Sequence, residues 1–177
     1  IDRSESTLLK LLNSEMYGHQ ALEMLLLIYQ QDKNWIEAID TAKKLASSDF
    51  SFHTEVAQFN CELAQEAIIK SSYDKAKEFV ATALDTNRKC VRANILLGEV
   101  YYNQEDYTTA IQTWQQIEKQ NYQYLPLVLD KMFDAYLRID KVKEGLTLIK
   151  GYATLFPQLN LHDVAYQKLA NYDTPEA

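Results

Sequence analysis

Small and apolar residues recur along this chain three or four positions apart, in segments separated by short polar breaks. Tyr107, Ala110, Trp114 and Ile117 form one such set. Side chains at these intervals line one face of an α-helix. Followed along the chain, the pattern predicts helices over about 2–13, 17–31, 34–47, 53–70, 72–86, 90–103, 106–120, 123–138, 141–155 and 161–171. Pro157 is expected to end the ninth of these, because proline cannot continue a helix ladder.

The set itself repeats. Trp35, Ala38, Ala42 and Leu45 match it, as do Tyr73, Ala76, Val80 and Ala83, and Val142, Gly145, Ile149 and Tyr152. Ile1, Ser4, Leu8 and Leu11 match it at the start. The small residues Ser4, Ala38, Ala76, Ala110 and Gly145 lie 34, 38, 34 and 35 positions apart. A second helical pattern precedes the later sets, as in Leu97-Gly98-x-x-Tyr101 and Leu25-Leu26-x-x-Tyr29. The arrangement resembles the tetratricopeptide repeat, a helix–turn–helix unit of about 34 residues with Leu-Gly-x-x-Tyr in helix A and Ala-x-x-x-Phe in helix B.

The resemblance implies an all-α fold, a right-handed α-solenoid of antiparallel helix pairs in which each pair buries its apolar face on the next. It implies one solenoid over 1–177. A partial repeat of helix B alone covers 1–16, and repeats cover 17–50, 51–88, 89–122 and 123–157. A terminal helix and a frayed tail after Tyr172 cover 158–177. The extra four residues around Ser47–His53 are expected to form a longer loop or a helix extension. Gly98 stands in the small position of helix A, at a cost of about 1 kcal/mol against alanine. A close helix approach is expected to offset that cost. Ala64 takes the same position in the preceding repeat, and Leu26 and Phe133 take it in the others.

Composition narrows the function. Hydrophobic residues make up 47% and charged residues 24% of 177, which suits a folded domain. The net charge of -7 argues against a general nucleic-acid binder, which needs Lys and Arg to neutralise phosphates. No apolar run approaches the roughly 20 residues that span a bilayer. The first residue is Ile1 and falls inside a helical pattern, so the sequence is expected to be a segment of a longer protein. Leu8, Leu9, Leu11 and Leu12 are then expected to be partly bare, and a homo-oligomer through this helix is expected to cover them.

No nucleophile–base pair, metal-ligand spacing or phosphate loop is visible, so an enzyme is not expected. His19, His53 and His162 lie far apart and read as surface or capping residues. Cys61 and Cys90 are 29 positions apart with no CxxC, which gives neither a disulfide framework nor a zinc site and suits a reducing compartment. Glu62 beside Cys61 disfavours a thiolate. Arg88 and Lys89 beside Cys90 favour one. Both cysteines are read as structural, and no cofactor is expected in this stretch.

The useful face of such a repeat array is the one lined by its A helices. The repeat frame assigns to it Glu23 and Met24, with Leu27; Glu62 and Gln65, with Cys61; Glu99, Tyr102 and Asn103, with Ile95; and Asp130, Lys131, Asp134 and Arg138. The face leans acidic through Glu62, Glu99, Asp130 and Asp134, and suits a basic or amphipathic peptide segment.

A narrower resemblance rests on three stretches: Ala21–Leu45 (ALEMLLLIYQQDKNWIEAIDTAKKL), Glu55–Ala64 (EVAQFNCELA) and Ile95–Gln112 (ILLGEVYYNQEDYTTAIQ). The Cys61-Glu62-Leu63-Ala64 run is not required by the generic repeat. Together these stretches resemble the lipopolysaccharide assembly protein B family of Gram-negative bacteria, over about residues 1–118. The resemblance implies a non-enzymatic adaptor on the cytoplasmic face of the inner membrane, limiting lipid A synthesis by bringing the lipid A deacetylase to a membrane AAA+ protease. It also implies an N-terminal membrane helix and a rubredoxin-like iron domain elsewhere in the parent, whose ligands are not Cys61 and Cys90. Two alternatives stay open: the repeat region of an N-acetylglucosaminyltransferase, and a scaffold of a pilus or secretion assembly.

Overall fold

The computed structural model describes residues 2–14, 16–47 and 49–172. The expectations placed on Ile1, on the His162 side chain and on the tail after Tyr172 lie outside the described residues. The described residues form ten α-helices: α1 (Asp2–Leu11), α2 (Gly18–Gln31), α3 (Trp35–Ala46), α4 (His53–Ile69), α5 (Tyr73–Thr86), α6 (Val91–Asn103), α7 (Tyr107–Asn121), α8 (Leu129–Arg138), α9 (Val142–Leu155) and α10 (His162–Tyr172). Two compact units divide the chain, Ile1–Ala93 and Asn94–Ala177. The division runs through α6 rather than through a linker.

The turn from helix A to helix B has one design, used four times. Lys33, Ser71, Glu105 and Asp140 all have φ between 54° and 63°. Each stands five positions before the small residue of its helix B: Ala38, Ala76, Ala110 or Gly145. The N–H of each reaches back three residues, to the carbonyls of Gln30, Ile68, Tyr102 and Leu137, at 2.9–3.2 Å. The following N–H, of Asn34, Ser72, Asp106 or Lys141, reaches back five residues to Tyr29, Ala67, Tyr101 or Tyr136, at 2.8–2.9 Å. These paired bonds are the Schellman motif, which satisfies the last carbonyls of a helix and reverses the chain. None of the four left-handed residues is glycine.

In the first unit, helices consecutive in the chain pack on one another from α1 to α5. Leu25, Leu26 and Tyr29 of α2, Ala38, Ala42 and Leu45 of α3, and Val56 and Phe59 of α4 share one core. The Trp35 and Phe59 rings stack with centroids 6.0 Å apart, and the Trp35 indole N–H donates to Glu66 at 3.0 Å. Leu8 and Leu12 pack against this core, whereas Leu9 and Leu11 are exposed. All four leucines are thus at least partly bare, Leu8 and Leu12 less so than Leu9 and Leu11. The insertion before α4 is a short 3-10 turn, Phe50–Phe52, entered where the Asp49 carboxylate accepts the Ser51 N–H at 2.8 Å.

In the second unit, α7 packs on α8, α8 on α9 and α9 on α10. The Trp114 indole of α7 lies against Gly98 of α6 and donates to the Ile95 carbonyl at 3.1 Å. The expected helix over 123–138 is split. Tyr122–Leu127 is a 3-10 turn holding Pro126, and α8 begins only at Leu129. Proline removes one N–H from the ladder and disfavours the α conformation in the residue before it. The Asn121 carbonyl oxygen of the side chain accepts the Gln123 N–H at 3.1 Å and starts the turn.

Candidate protein-binding face

In the first unit, the expected face residues on α2 are open. Met24 is 56% and Leu27 58% exposed. They line a groove of about 640 Å³ between α1 and α2, with Ser4, Thr7, Leu8, Ile28 and Gln31. Glu23 is exposed beside it, 3.5 Å from the His19 imidazole. Between the same two helices the Tyr29 hydroxyl donates to Glu5 at 2.9 Å. Burial, with the Glu5 carboxylate second, pushes that phenol up to about 12, so it stays a neutral donor. An unbranched thioether and a leucine over such a groove suit an apolar peptide side chain, since methionine adapts its shape to what it meets.

The face residues on α4 behave differently. Cys61 is fully buried and does not line an open groove, contrary to its expected outward position. Its sulfur lies 3.7 Å from that of Cys90. Glu62 and Gln65 are half-buried. The Glu62 carboxylate is held by Arg92 at 2.6 Å, and this pairing raises the guanidinium further above its ordinary value.

In the second unit, the face residues of α6 and α8 meet one another. Lys131 pairs with Glu99. The Tyr102 hydroxyl donates to the Asp134 carboxylate, to which Arg138 also donates at 3.3 Å. The hydroxyl, and then the guanidinium, hold the Asp134 carboxyl below its ordinary value. Tyr102 is also edge-on to Tyr107 at 5.4 Å. Asp130 is 3.1 Å from Lys168 of α10, whose ammonium lies 5.3 Å from the Phe133 ring centre. Asn103 is exposed at the end of α6.

Each of the four carboxylates that make the face read as acidic therefore has a cation beside it. Sequence reasoning missed Arg92, Lys168 and the meeting of the two cysteines. The signal was available: Glu62–Arg92, Glu99–Lys131 and Tyr102–Asp134 are separated by 30, 32 and 32 positions, close to one repeat. Such pairs join equivalent helices of successive repeats.

Among the described residues, no group of three or more His, Cys, Asp or Glu side chains could hold a metal ion. No described helix is long and apolar enough to cross a membrane.

No protein-family model matches the chain. It is 26% identical over 144 residues to lipopolysaccharide assembly protein B of Escherichia coli strain K12, a stretch that is 81% of this chain and 37% of that protein. It is 29% identical over 142 residues to the protein of the same name from Haemophilus influenzae, covering 80% and 36%. The chain thus spans little more than a third of the length of these curated relatives. Among solved structures, MamA has a TM-score of 0.56 at 18% identity, over 96% of this chain and 85% of its own. YrrB, described as a TPR protein with an unusual peptide-binding site, has a TM-score of 0.54 at 15% identity, over 92% and 82%. At such identities the shared property is the fold. The chain has the all-α tetratricopeptide-repeat fold and is similar in sequence to lipopolysaccharide assembly protein B.

Proposed function

We propose that this chain is a protein-binding adaptor segment in the control of lipopolysaccharide synthesis. The observation that carries the proposal is the likeness to lipopolysaccharide assembly protein B along four-fifths of the chain. By that likeness the partners are the lipid A deacetylase and a membrane AAA+ protease, met at the cytoplasmic face of the bacterial inner membrane. The role is binding rather than catalysis.

The α1–α2 groove is the part of the face best suited to take a partner segment. Its exposed Met24 and Leu27 offer apolar area that a partner can remove from water, at about 25 cal/mol per Å². The carboxylates of α4, α6 and α8 already have cations beside them and would have to exchange those partners to hold a basic peptide.

Copurification of the full chain with the purified deacetylase and with the purified protease tests the proposal. Retention of either partner, weakened by the double variant Met24→Asp, Leu27→Asp, is the expected result. Both residues are exposed, so the variant keeps its fold, which circular dichroism checks. Retention of neither partner overturns the adaptor reading.

A further inference from the structure

Cys61 and Cys90 are free, buried thiols whose sulfurs are 3.7 Å apart. The protein-binding face uses neither. Cys61 lies in the middle of α4, and Cys90 immediately precedes α6. The Cys90 sulfur therefore lies at the start of that helix, near the backbone N–H groups of Arg92 and Ala93, the latter also donating to the Cys90 carbonyl at 3.2 Å. The Arg92 guanidinium sits close by, oriented by Glu62, the neighbour of Cys61. A thiolate at such a position is stabilised by the helix end and by the cation. Gln58, half-buried on α4, points its amide at the Cys90 sulfur from 3.8 Å.

We propose that Cys61 and Cys90 form a reversible dithiol–disulfide site, with a small peroxide as oxidant and a dithiol as reductant. The sulfurs are in van der Waals contact and need to close to about 2.05 Å, which side-chain rotation and small shifts of α4 and of the α6 start provide.

The thiolate of Cys90 attacks one peroxide oxygen. The O–O bond breaks, hydroxide leaves and takes a proton to become water, and Cys90 becomes a sulfenic acid. Cys61 had been sharing its proton with the Cys90 thiolate. With that thiolate gone, the proton is released, and the Cys61 sulfur attacks the Cys90 sulfur and expels hydroxide, which becomes the second water. Two thiols and one peroxide give one disulfide and two waters, the two electrons passing from the sulfurs to the peroxide. A dithiol reverses the step by exchange and is itself left as a disulfide. Gln58 shields the attacking sulfur and governs access to it.

The full reduced chain is treated with hydrogen peroxide and followed by intact-mass and peptide mass spectrometry. The expected result is a loss of two hydrogen masses, a cross-linked Cys61–Cys90 peptide, and full reversal by dithiothreitol. Cross-linking is expected to be faster in the folded protein than in urea, and faster again in Gln58→Ala. Addition of oxygen atoms to either cysteine without a cross-link overturns the proposal. So does cross-linking that is no faster when folded than in urea. Neither outcome depends on a cysteine variant folding.

Discussion

The indole of Trp114 occupies the space into which a side chain on Gly98 would project. A Cβ placed there would overlap the indole ring at Nε1, Cδ1 and Cε2. The contact is rigid on both sides, because the indole N–H is tied to the Ile95 carbonyl one turn before Gly98. Helix propensity favours alanine by about 1 kcal/mol, and overpacking costs about 1–3 kcal/mol. Gly98→Ala is expected to lose stability by up to about 2 kcal/mol in urea unfolding. A gain would mean that the indole swings aside freely.

The four Schellman turns give the opposite expectation for glycine. A side chain at positive φ costs about 1–2 kcal/mol, while glycine adds about 0.4–1 kcal/mol of entropy to the unfolded chain. Glu105→Gly, at φ 63°, is expected to stabilise by about 0.5–1 kcal/mol. Asp140→Gly should gain less, since aspartate tolerates this conformation better. Urea midpoints of the two variants check the order.

Asp106 follows one of these turns and caps α7, its carboxylate accepting the Thr109 N–H at 3.1 Å. Asn34, Ser72 and Lys141, at the equivalent positions, have no such bond. Asp106→Ala should cost about 1 kcal/mol. Ser72→Ala should cost much less, although serine is as good a capping residue by type. Equal losses in thermal unfolding would contradict the difference in geometry.

The cysteine pair makes stability depend on pH in both directions. Cys90 is held down to about 6 from the ordinary 9.0, first by the Cys61 thiol and then, against the cost of burial, by the Ala93 N–H and Arg92. Cys61 is pushed up by sharing its proton with Cys90, and then by burial and nearby Glu62. Between about pH 6 and 9 the unfolded chain holds one more proton than the folded pair, so stability rises with pH. Above 9 the unfolded chain loses both protons while Cys61 keeps its own, so stability falls. The stability difference between the reduced protein and Cys90→Ala should therefore rise between about pH 6 and 9 and level off above 9, where burial still keeps the Cys61 proton in the variant. A flat difference would show that no proton is shared.

Asp134 supplies an acid counterpart. Its lowered carboxyl contributes stability above the ordinary 3.8, and the contribution is lost as pH falls through the lower folded value. Tyr102→Phe removes the main cause. Because both groups are partly exposed, the loss should be about 1 kcal/mol or less at pH 7. It should shrink as pH falls below 3.8 in urea titrations.

The repeat period, the helix pairs and the small–large alternation were legible in the sequence, because each follows from spacing within one or two helices. Ala38, Ala76, Ala110 and Gly145 mark the period, and the turn residues five positions earlier keep the same register. Local chemistry also sets the Pro126 turn, although the helical pattern on either side masks it. What a helix face meets across a repeat is another matter. Glu62, Glu99, Asp130 and Asp134 read as an acidic surface because their partners, Arg92, Lys131, Lys168 and Arg138, are mostly distant in the chain. Side-chain reach and helix packing, rather than periodicity, bring them together. The same holds for Cys61 and Cys90, which no local motif connects. Periodicity determines which residues share a helix face. Only the packing of one helix on the next decides which charges are neutralised and which sulfurs touch.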